Sequence, residues 1–444
     1  MITNLTKGVP TKVLVTFTVP ILLSSVFQQF YNMADSIIAG NFINDDALAA
    51  IGASYPITMI FIAIAIGSSI GCSVLISQYF GAKQFNKMKV AINTAFVSTV
   101  ALGLILILIG AVSCKPILEL LNTPQNIIDD SKIYLDVYIY GILFLMLYNT
   151  CTAVFTALGD SKTPLYFLIV SSIGNIALNL IFVIVFKMGI AGIAWATFVA
   201  QGIASLLALI VLIKKLKKIP TEDTKTTMFD FNMFKKISTI AVPSILQQSF
   251  ISVGNVLIQS VINSYGSSVV AGFSSAMKIN VFSIMCIAAL ANGLSSFTAQ
   301  NIGAREVARV KKGFRSAVVI GAVLAVIFGV LNFVFGNEIL SLFLTGEDKL
   351  AMQTGIDFLN IVSIFFPIIA VKLIIDGVLR GGGAMKAFLI ATFTDLILRV
   401  ALAYILSVPF GEIGIWASWP IGWSVAAVVS IIYYVKGVWN TKKL

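Results

Sequence analysis

The stretch from Phe17 to Gly40, FTVPILLSSVFQQFYNMADSIIAG, predicts a helix long enough to cross a bilayer, yet it carries an acid, Asp35, near its end. Its polar side chains recur at helical spacing on one face, and they are Ser25, Gln28, Asn32 and Asp35. A carboxylate inside a membrane span is costly unless it faces protein or a water-filled cavity. We therefore interpret this face as the lining of a cavity. The alternative is that Asp35 only ends the helix at the interface.

The composition is that of an integral membrane protein. Of its 444 residues, 58% are hydrophobic and 11% are charged. At roughly 20 residues per crossing, the chain has room for about twelve helices and for no soluble catalytic domain. We predict spans near 14–38, 48–79, 90–113, 132–158, 164–186, 190–213, 237–262, 269–300, 314–335, 355–379, 387–408 and 412–435. The expected location is the cell membrane.

The two halves of the chain are related. The segment QYFGAKQFNKMK at Gln78–Lys89 matches QNIGAREVARVK at Gln300–Lys311. Nearly the same offset aligns further pairs across both halves: Pro20 with Pro243, Asn32 with Asn255, Gly159 with Gly383, Lys162 with Lys386, and Gly192 with Gly414. Because six spans are an even number, the second copy begins on the same side as the first. We predict a first bundle at 1–213, a linker at 214–236 and a second bundle at 237–444.

The basic residues predict the orientation. One set of alternate connections carries Lys83, Lys87, Lys89, Lys162, the 214–236 cluster, Arg305, Arg309, Lys311, Lys312, Arg315, Arg380, Lys386, Lys442 and Lys443, whereas the other set is mostly acidic. The positive-inside rule therefore predicts that both termini and the linker are cytoplasmic. The same bias, with attraction to anionic membrane lipid, accounts for the net charge of +11, so we expect no nucleic-acid partner.

Enzyme signatures are missing from the sequence. It contains no histidine, which excludes Ser-His and Cys-His nucleophiles and histidine metal sites. Its glycine runs join predicted helices rather than following a strand, so they do not predict a phosphate loop. Four isolated cysteines fit buried core positions rather than a disulfide framework. We predict a transporter, not an enzyme, without a cofactor.

Three motifs stand out together: the first-helix pattern of Pro20, Gln28, Gln29, Tyr31, Asn32 and Asp35, the paired Gln-x-x-Gly-Ala turns, and Val378–Gly381. In this order, and with the duplication, they resemble the multidrug and toxic compound extrusion (MATE) family over nearly the whole chain. The resemblance implies an all-α integral membrane protein with twelve transmembrane helices, arranged as a V-shaped pair of six-helix bundles. It also implies export of organic compounds, commonly cationic and amphipathic, in exchange for H⁺ or Na⁺ by alternating access.

The resemblance also implies a cation site in the first bundle. In family members with such a site, a first-helix Asp is joined by Asn-x-x-x-Asp on the fifth helix and by a Thr on the sixth. Asp35, Asn175 and Thr197 match, but Asn179 replaces the second acid, which leaves one carboxylate for H⁺ or Na⁺. The spacing of Asn175 and Asn179 independently places both on one helix face. Hydrogen bonding between helices is the alternative role for the two amides.

The second half repeats the polar face without an acid, as Gln248, Ser252, Asn255 and Gln259. It instead contains charged residues inside its spans: Lys278, Lys372, Asp376, Asp395 and Arg399. The spacing allows two pairs, Lys372 with Asp376 and Asp395 with Arg399, to neutralise each other. Lys278 has no local partner, so it pairs with Asp376 across helices or joins a second polar site. The predicted substrate cavity contains Gln28, Asn32, Gln248, Asn255, Lys278 and Asp376.

We expect a monomer whose partners are small organic substrates and lipid. The main rival function is a flippase for a lipid-linked or polysaccharide precursor, although the chain lacks a cationic cavity stripe. A channel would conduct without exchange.

Overall fold

In a computed structural model, the chain is almost entirely helical, and the structure describes residues 4–121, 123–220, 227–344 and 348–440. The side chains of residues 30–33, 36 and 45 also lie outside the description. The helices are α1 (Pro10–Phe42), α2 (Asp45–Gly81), α3 (Phe85–Leu120), α4 (Gln125–Ala157), α5 (Lys162–Leu180), α6 (Gly189–Leu216), α7 (Phe231–Asn263), α8 (Ser267–Gly303), α9 (Val307–Leu340), α10 (Lys349–Ser363), α11 (Phe366–Gly381) and α12 (Met385–Val435). A π-helical turn, Ile181–Val185, extends α5.

These helices account for the twelve predicted spans. Within the described ranges, ten helices are long and apolar enough to cross a membrane, and the pair α10 and α11 supplies an eleventh span. The twelfth arises because α12 has 51 residues and is interrupted at Gly411, whose φ of 61° and ψ of −144° suit only glycine. The all-α fold with twelve spans is confirmed.

One predicted span is broken. The sequence suggested a continuous helix over 355–379, whereas the structure has α10 and α11 bent by 56° relative to each other. Pro367 lies in the first turn of α11, where its missing N–H removes no helical hydrogen bond. Asp348 caps α10 because its side chain accepts a hydrogen bond from the backbone N–H of Ala351 at 3.0 Å.

The sequence repeat is also a structural repeat. After α2, Lys83 adopts a φ of 58°, and after α8, Arg305 adopts a φ of 62°. The backbone N–H of Gln84 bonds the carbonyl of Tyr79 at 3.0 Å, and that of Glu306 bonds the carbonyl of Asn301 at 2.8 Å. In both Gln-x-x-Gly-Ala segments, the α-helix is thus followed by one residue in the left-handed conformation. The sequence match therefore reflects a shared backbone conformation.

The chain divides into two compact units. The first contains Leu23–Ser249, and the second contains Leu5–Leu22 with Phe250–Leu444. The start of α1 thus packs with the helices of the second repeat, and the start of α7 packs with those of the first. The division into 1–213, 214–236 and 237–444 stays a prediction about the repeat. Residues 221–226 of its linker lie outside the described residues.

Two glycines at equivalent positions make this exchange possible. A Cβ on Gly71 of α2 would lie 2.5 Å from the Cβ of Ala241 in α7, and a Cβ on Gly293 of α8 would lie 2.3 Å from Oγ1 of Thr18 in α1. Only glycine allows so close an approach between helices. Each contact lies within one compact unit, so the starts of α1 and α7 are packed helices rather than loose ends.

The segment before α1 is held within the second unit by side chains near the Gln-x-x-Gly-Ala turn. Leu5 is fully buried, and its backbone N–H donates to Oε1 of Gln300 at 3.0 Å. Arg309 donates to the carbonyls of Lys7 and Gly8 at 2.9 and 2.5 Å. These bonds fix the entry to α1.

Apolar packing dominates within each unit. In the second unit, one core cluster contains Phe273, Phe358, Trp416, Trp419 and Trp423, with Phe273 and Trp416 stacked at 5.0 Å between ring centroids. All four cysteines are buried and free, as the sequence indicated.

Candidate functional site

The carboxylate of Asp35 lies inside α1 and contacts a neighbouring helix. The helix continues from Asp35 to Phe42, so the side chain does not mark the helix end. Its Oδ1 accepts a hydrogen bond of 2.6 Å from Nδ2 of Asn179 on α5. The structure therefore disfavours the simple capping role and gives Asp35 a partner from another helix.

A chain of hydrogen bonds extends from this contact through the first unit. Nδ2 of Asn179 also donates to Oδ1 of Asn175 at 2.9 Å, and Nδ2 of Asn175 donates to Oγ1 of Thr197 on α6 at 3.2 Å. Both asparagines have no exposed surface, and Thr197 is buried. The structure thus brings together the four side chains that the sequence grouped as a cation site.

One oxygen in this hydrogen-bond chain has no donor within the described structure. Oδ1 of Asn179 is buried and lacks a hydrogen-bond partner, beside the carboxylate of Asp35. An unsatisfied buried carbonyl oxygen is costly, and a carboxylate with amide and hydroxyl oxygens is a ligand set suited to a hard cation. Within the described residues, no three His, Cys, Asp or Glu side chains group as a metal site. The arrangement offers one negative charge and neutral oxygens.

An apolar cluster lies on the turn of α1 that follows Asp35. Ile38 and Ala39 are buried against Val183 and Ile193, and Tyr134 of α4 packs on the same cluster. This packing limits the water that can reach Asp35 from that direction. It also raises the free-energy cost of leaving the charge without a counter-ion.

The helix that carries both asparagines ends in an unusual way. Ile181–Val185, directly after α5, forms a π-helical turn, and the backbone N–H of Phe186 bonds the carbonyl of Ile181 at 3.0 Å. Single π-turns are frequent at functional sites. The sequence contains no proline or glycine there, so the turn could not have been predicted.

A cavity of about 180 Å³ lies within the first unit. Its polar lining residues are all neutral: Ser24, Gln28, Tyr148, Asn149, Thr152, Ser171, Ser172 and Gln201. Leu145, Pro164, Leu168, Ala200 and Ala204 complete the wall. Of the predicted substrate residues, Gln28 lies here.

The cavity approaches the hydrogen-bond chain along two helices. Ser172 lies one turn before Asn175 on α5, and Gln201 lies one turn after Thr197 on α6. Oγ of Ser172 is buried and lacks a partner in the described structure. Ser172 and Gln201 were not predicted from the sequence, although their spacing from Asn175 and Thr197 was a usable signal.

The other predicted substrate residues are not gathered at this cavity. Gln248 is half-buried at the end of the first unit, and Asn255 is exposed on the part of α7 that belongs to the second unit. The side chain of Asn32 lies outside the described residues. A substrate role for these three stays a prediction.

Lys278 and Asp376 have separate partners. The exposed Lys278 ammonium lies 5.3 Å from the centroid of the Phe343 ring. Asp376 is buried, with Oδ2 at 2.7 Å from Nζ of Lys372 and Oδ1 accepting from Ser430 at 2.9 Å. The Lys372 pair is confirmed, whereas the pairing of Lys278 with Asp376 is wrong, because Lys372 one turn away already neutralises the acid.

The second expected pair is not formed. Within the described ranges, no ion pair joins Asp395 to Arg399, although both side chains are buried. Arg399 instead stacks on Trp419, with its guanidinium carbon 4.3 Å from the ring centroid. The i,i+4 spacing permits an ion pair, but the indole face competes for the guanidinium.

Comparison with known proteins identifies relatives along nearly the full length of the chain. The family profile described as MatE matches residues 20–181 and 243–405. The chain is 32% identical over 444 residues to the probable multidrug resistance protein YpnP of Bacillus subtilis, covering 99% of this chain and 98% of that protein. It is 30% identical to the probable multidrug resistance protein YoeA of the same organism, covering 96% and 94%.

Solved structures share the fold. A MOP superfamily transporter from Pyrococcus furiosus superposes with a TM-score of 0.92 at 23% identity, covering 99% of this chain and 98% of that one. A multidrug resistance MATE family transporter in an outward-facing conformation gives a TM-score of 0.90 at 23% identity, covering 98% and 97%. At this identity the likeness concerns the fold alone.

Proposed function

Because this chain belongs to the MATE family of transporters and is not an enzyme, we propose that it exports organic compounds from the cytoplasm in exchange for H⁺ or Na⁺. The multidrug names of its relatives in Bacillus subtilis support the substrate class. The hydrogen-bond chain from Thr197 to Asp35 carries the proposal for ion coupling, since it gives a membrane-embedded carboxylate a defined set of neutral oxygen neighbours.

Asp35 is the proposed carrier of the coupling cation. A proton would bind the carboxylate itself, since the sequence has no histidine that could serve instead. A Na⁺ ion would bind the carboxylate together with amide and hydroxyl oxygens of Asn175, Asn179 and Thr197. In both cases the bound cation neutralises Asp35, the only acid among the four hydrogen-bonded side chains. This lowers the free-energy cost of burying the carboxylate.

The cavity beside the hydrogen-bond chain from Thr197 to Asp35 is the proposed substrate site of the first unit. Tyr148 and the leucines offer apolar contact area, while Gln28, Asn149 and Gln201 offer hydrogen bonds in several directions. Such a lining suits amphipathic molecules of varied shape. Gln28 precedes Asp35 by two helical turns, about 10 Å along α1, so an organic cation in the cavity and the coupling cation compete for one negative charge.

That competition supplies the exchange. When Asp35 holds its cation, a cationic substrate gains less from the carboxylate and leaves; when the cation leaves, the substrate binds again. Each monovalent ion that enters the cell gains about 2.3 kcal/mol per 100 mV of membrane potential. One ion per cycle is therefore enough to drive a modest export gradient.

The proposed orientation follows the basic residues. The connections after α2 and α8 contain Lys83 and Arg305, and these ends are cytoplasmic in the proposal, together with both termini. The cell membrane is the proposed location.

Drug-stimulated ion flux in proteoliposomes tests the function. Purified protein is reconstituted with an internal pH dye or with ²²Na⁺ outside, and a fluorescent organic cation is supplied on the cytoplasmic side. We expect cation influx to rise with the drug concentration. We also expect drug movement to stop when the ion gradient is collapsed. Drug movement that is indifferent to both gradients would contradict the proposal.

A further inference from the structure

Two opposite charges in the second unit lie close together without pairing. Asp395 and Arg399, one turn apart on α12, are each 6% exposed. Oδ1 of Asp395 and Nε of Arg399 are buried and have no hydrogen-bond partner in the part of the chain that is described. Charged groups in a membrane span usually pair or bind a ligand, so these two side chains require an explanation.

The neighbouring residues leave little space around the carboxylate. The part of α12 after Gly411 packs against the part before it, and a Cβ on Gly422 would lie 2.8 Å from Oδ1 of Asp395 and 3.3 Å from Cβ of Arg399. Oγ1 of Thr392, three residues before Asp395 and on the same helix face, is also buried without a partner. The carboxylate and this hydroxyl are two oxygens that a cation can bind.

Arg399 has an alternative position on an aromatic surface. Its guanidinium carbon lies 4.3 Å from the centroid of Trp419, and such stacking stabilises a buried cation without a carboxylate. Arg399 therefore has two favourable neighbours: the indole face that it occupies and Asp395 one turn away. Because the guanidinium can contact either the Trp419 indole or the Asp395 carboxylate, it can compete with another cation for Asp395.

Asp376, another buried acid of the second unit, already has fixed partners. Asp376 is bound by Lys372 at 2.7 Å and by Ser430 at 2.9 Å. Ser430 lies about 12 Å further along the same helix than Gly422, which separates the two acids. Beyond Arg399 and the neutralised Lys372–Asp376 pair, the charged residues of α10, α11 and α12 are Lys349, Asp357, Arg380, Lys386 and Glu412. Arg380 donates to Asn292 of α8, Glu412 accepts from Thr354, and Asp357 accepts from Gln353.

We propose that Asp395 is a second binding site for a monovalent cation, H⁺ or Na⁺, and that Arg399 is its internal competitor. Arg399 stacks on Trp419 while the cation is bound to Asp395, and it pairs with Asp395 when the cation leaves. The inference rests on the proposed ion exchange, but it assigns a second site in the other unit, so one transport cycle exchanges two cations.

Equilibrium cation binding tests this site without transport. Binding of ²²Na⁺, and proton uptake read with a pH indicator, are measured on purified Asp35→Asn protein, in which the first site is removed. The same measurement follows with Asp395→Asn, Arg399→Gln or Glu338→Gln added, the last removing an exposed acid as the matched control. Drug binding to each protein verifies folding.

We expect one variant to bind the cation more tightly, which structural damage would not produce. One cation-binding site remains in the Asp35→Asn protein and in the Glu338→Gln control, and it disappears with Asp395→Asn. Arg399→Gln removes the competitor, so cation affinity rises by about tenfold. Unchanged binding in the Asp395→Asn protein, or equal or weaker affinity in Arg399→Gln, would overturn the proposal.

A fluorescence titration supplies a second readout. Because Arg399 moves between Trp419 and Asp395, cation addition should change tryptophan emission, and both Trp419→Phe and Asp395→Asn should abolish that change. A change that persists in Asp395→Asn would contradict the role of Arg399. A failure here leaves the coupling role of Asp35 intact, since that role is measured separately by efflux.

Discussion

Nδ2 of Asn179 lies 2.6 Å from Oδ1 of Asp35, and the same nitrogen lies 2.9 Å from Oδ1 of Asn175. One amide therefore connects the only acid of the proposed cation site to the rest of its polar residues. Its own carbonyl oxygen has no donor within the described structure. In the proposed cation site, Asn179 therefore both orients the carboxylate and supplies an oxygen ligand.

The Asn179 amide can be tested by truncation. Asn179→Ala removes the donor of Asp35, a hydrogen bond to a charged group worth about 1.5–3 kcal/mol. The cation concentration for half-maximal efflux should therefore change by at least about tenfold. Asn41→Ala is the matched control on α1, because within the described structure that exposed amide donates only to the carbonyl of Ile37 in its own helix. Equal behaviour of the two variants would remove Asn179 from the cation site.

A second acid at the same position is the converse test. Asn179→Asp gives the fifth helix the acid that the family pattern has there, so the site gains a second negative charge. We expect tighter cation binding and more than one cation bound in the first unit, measured with ²²Na⁺ or a pH indicator. An unchanged number of bound cations would contradict the proposed location of the site.

A buried ion pair outside the spans predicts a pH-dependent stability. Asp160, in the turn between α4 and α5, is bound by Lys215 and by the hydroxyl of Thr163 at 2.8 Å. Burial alone would raise the pKa of Asp160, but the hydrogen bonds from Lys215 and Thr163 hold this pKa below its ordinary value. The ionised form of Asp160 therefore stabilises the folded protein.

Asp160→Asn should cost about 2–3 kcal/mol at neutral pH. Because the folded-state pKa is depressed, this contribution is complete above the unfolded-state pKa of about 3.9 and is lost as the pH falls through the lower folded value. Thermal unfolding in detergent should show a gap between the two proteins that stays constant from about pH 7 to about pH 5. Asp136→Asn, which breaks the more exposed pair with Lys132, should cost below about 1 kcal/mol. A gap that widens on acidification would contradict this account.

Much of the fold could be predicted from the sequence. Apolar length fixed the number of spans, and the two Gln-x-x-Gly-Ala segments, 222 residues apart from Gln78 to Gln300, share one backbone conformation. The resemblance grouped Asp35, Asn175, Asn179 and Thr197, while helical spacing placed only Asn175 and Asn179 on one face. The structure joins the four side chains by hydrogen bonds, whose order depends on how α1, α5 and α6 pack.

Other features depend on packing between distant segments. The spacing of Asp395 and Arg399 permits a pair, yet Trp419, which lies beyond the break at Gly411, competes for the guanidinium. The start of α1 packs in the second unit because Gly293 admits Thr18, and no local signal near Thr18 indicates that. The cavity lining combines α1, α4, α5 and α6, so only the assembled helices define it.

Membrane orientation is tested by cysteine labelling. The four native cysteines are buried, so they give a low background. Lys218→Cys, at an exposed position after α6, should react with an impermeant maleimide only from the cytoplasm, and Asp46→Cys, at the start of α2, only from outside. Reversed labelling would overturn the orientation.

The two units should contribute unequally to coupling. Asn255 is the counterpart of Asn32 on α7, but its helix carries no acid, and the residue is exposed. Asn255→Ala should therefore reduce ion-driven efflux less than Asp35→Asn does, at matched expression. Equal losses would show that coupling through the polar faces is not concentrated in the first unit.

The direct test of the account is Asp35→Asn. Asparagine keeps the shape and the hydrogen-bonding capacity of the side chain but removes its charge, so the protein should fold while exchange fails. Ion-gradient-driven efflux and equilibrium drug binding are measured on the same purified protein. Efflux reduced at least about a hundredfold, with drug binding retained at the weaker affinity of the cation-loaded protein, is the result that the account predicts. Efflux at the rate of the unmutated protein would contradict it.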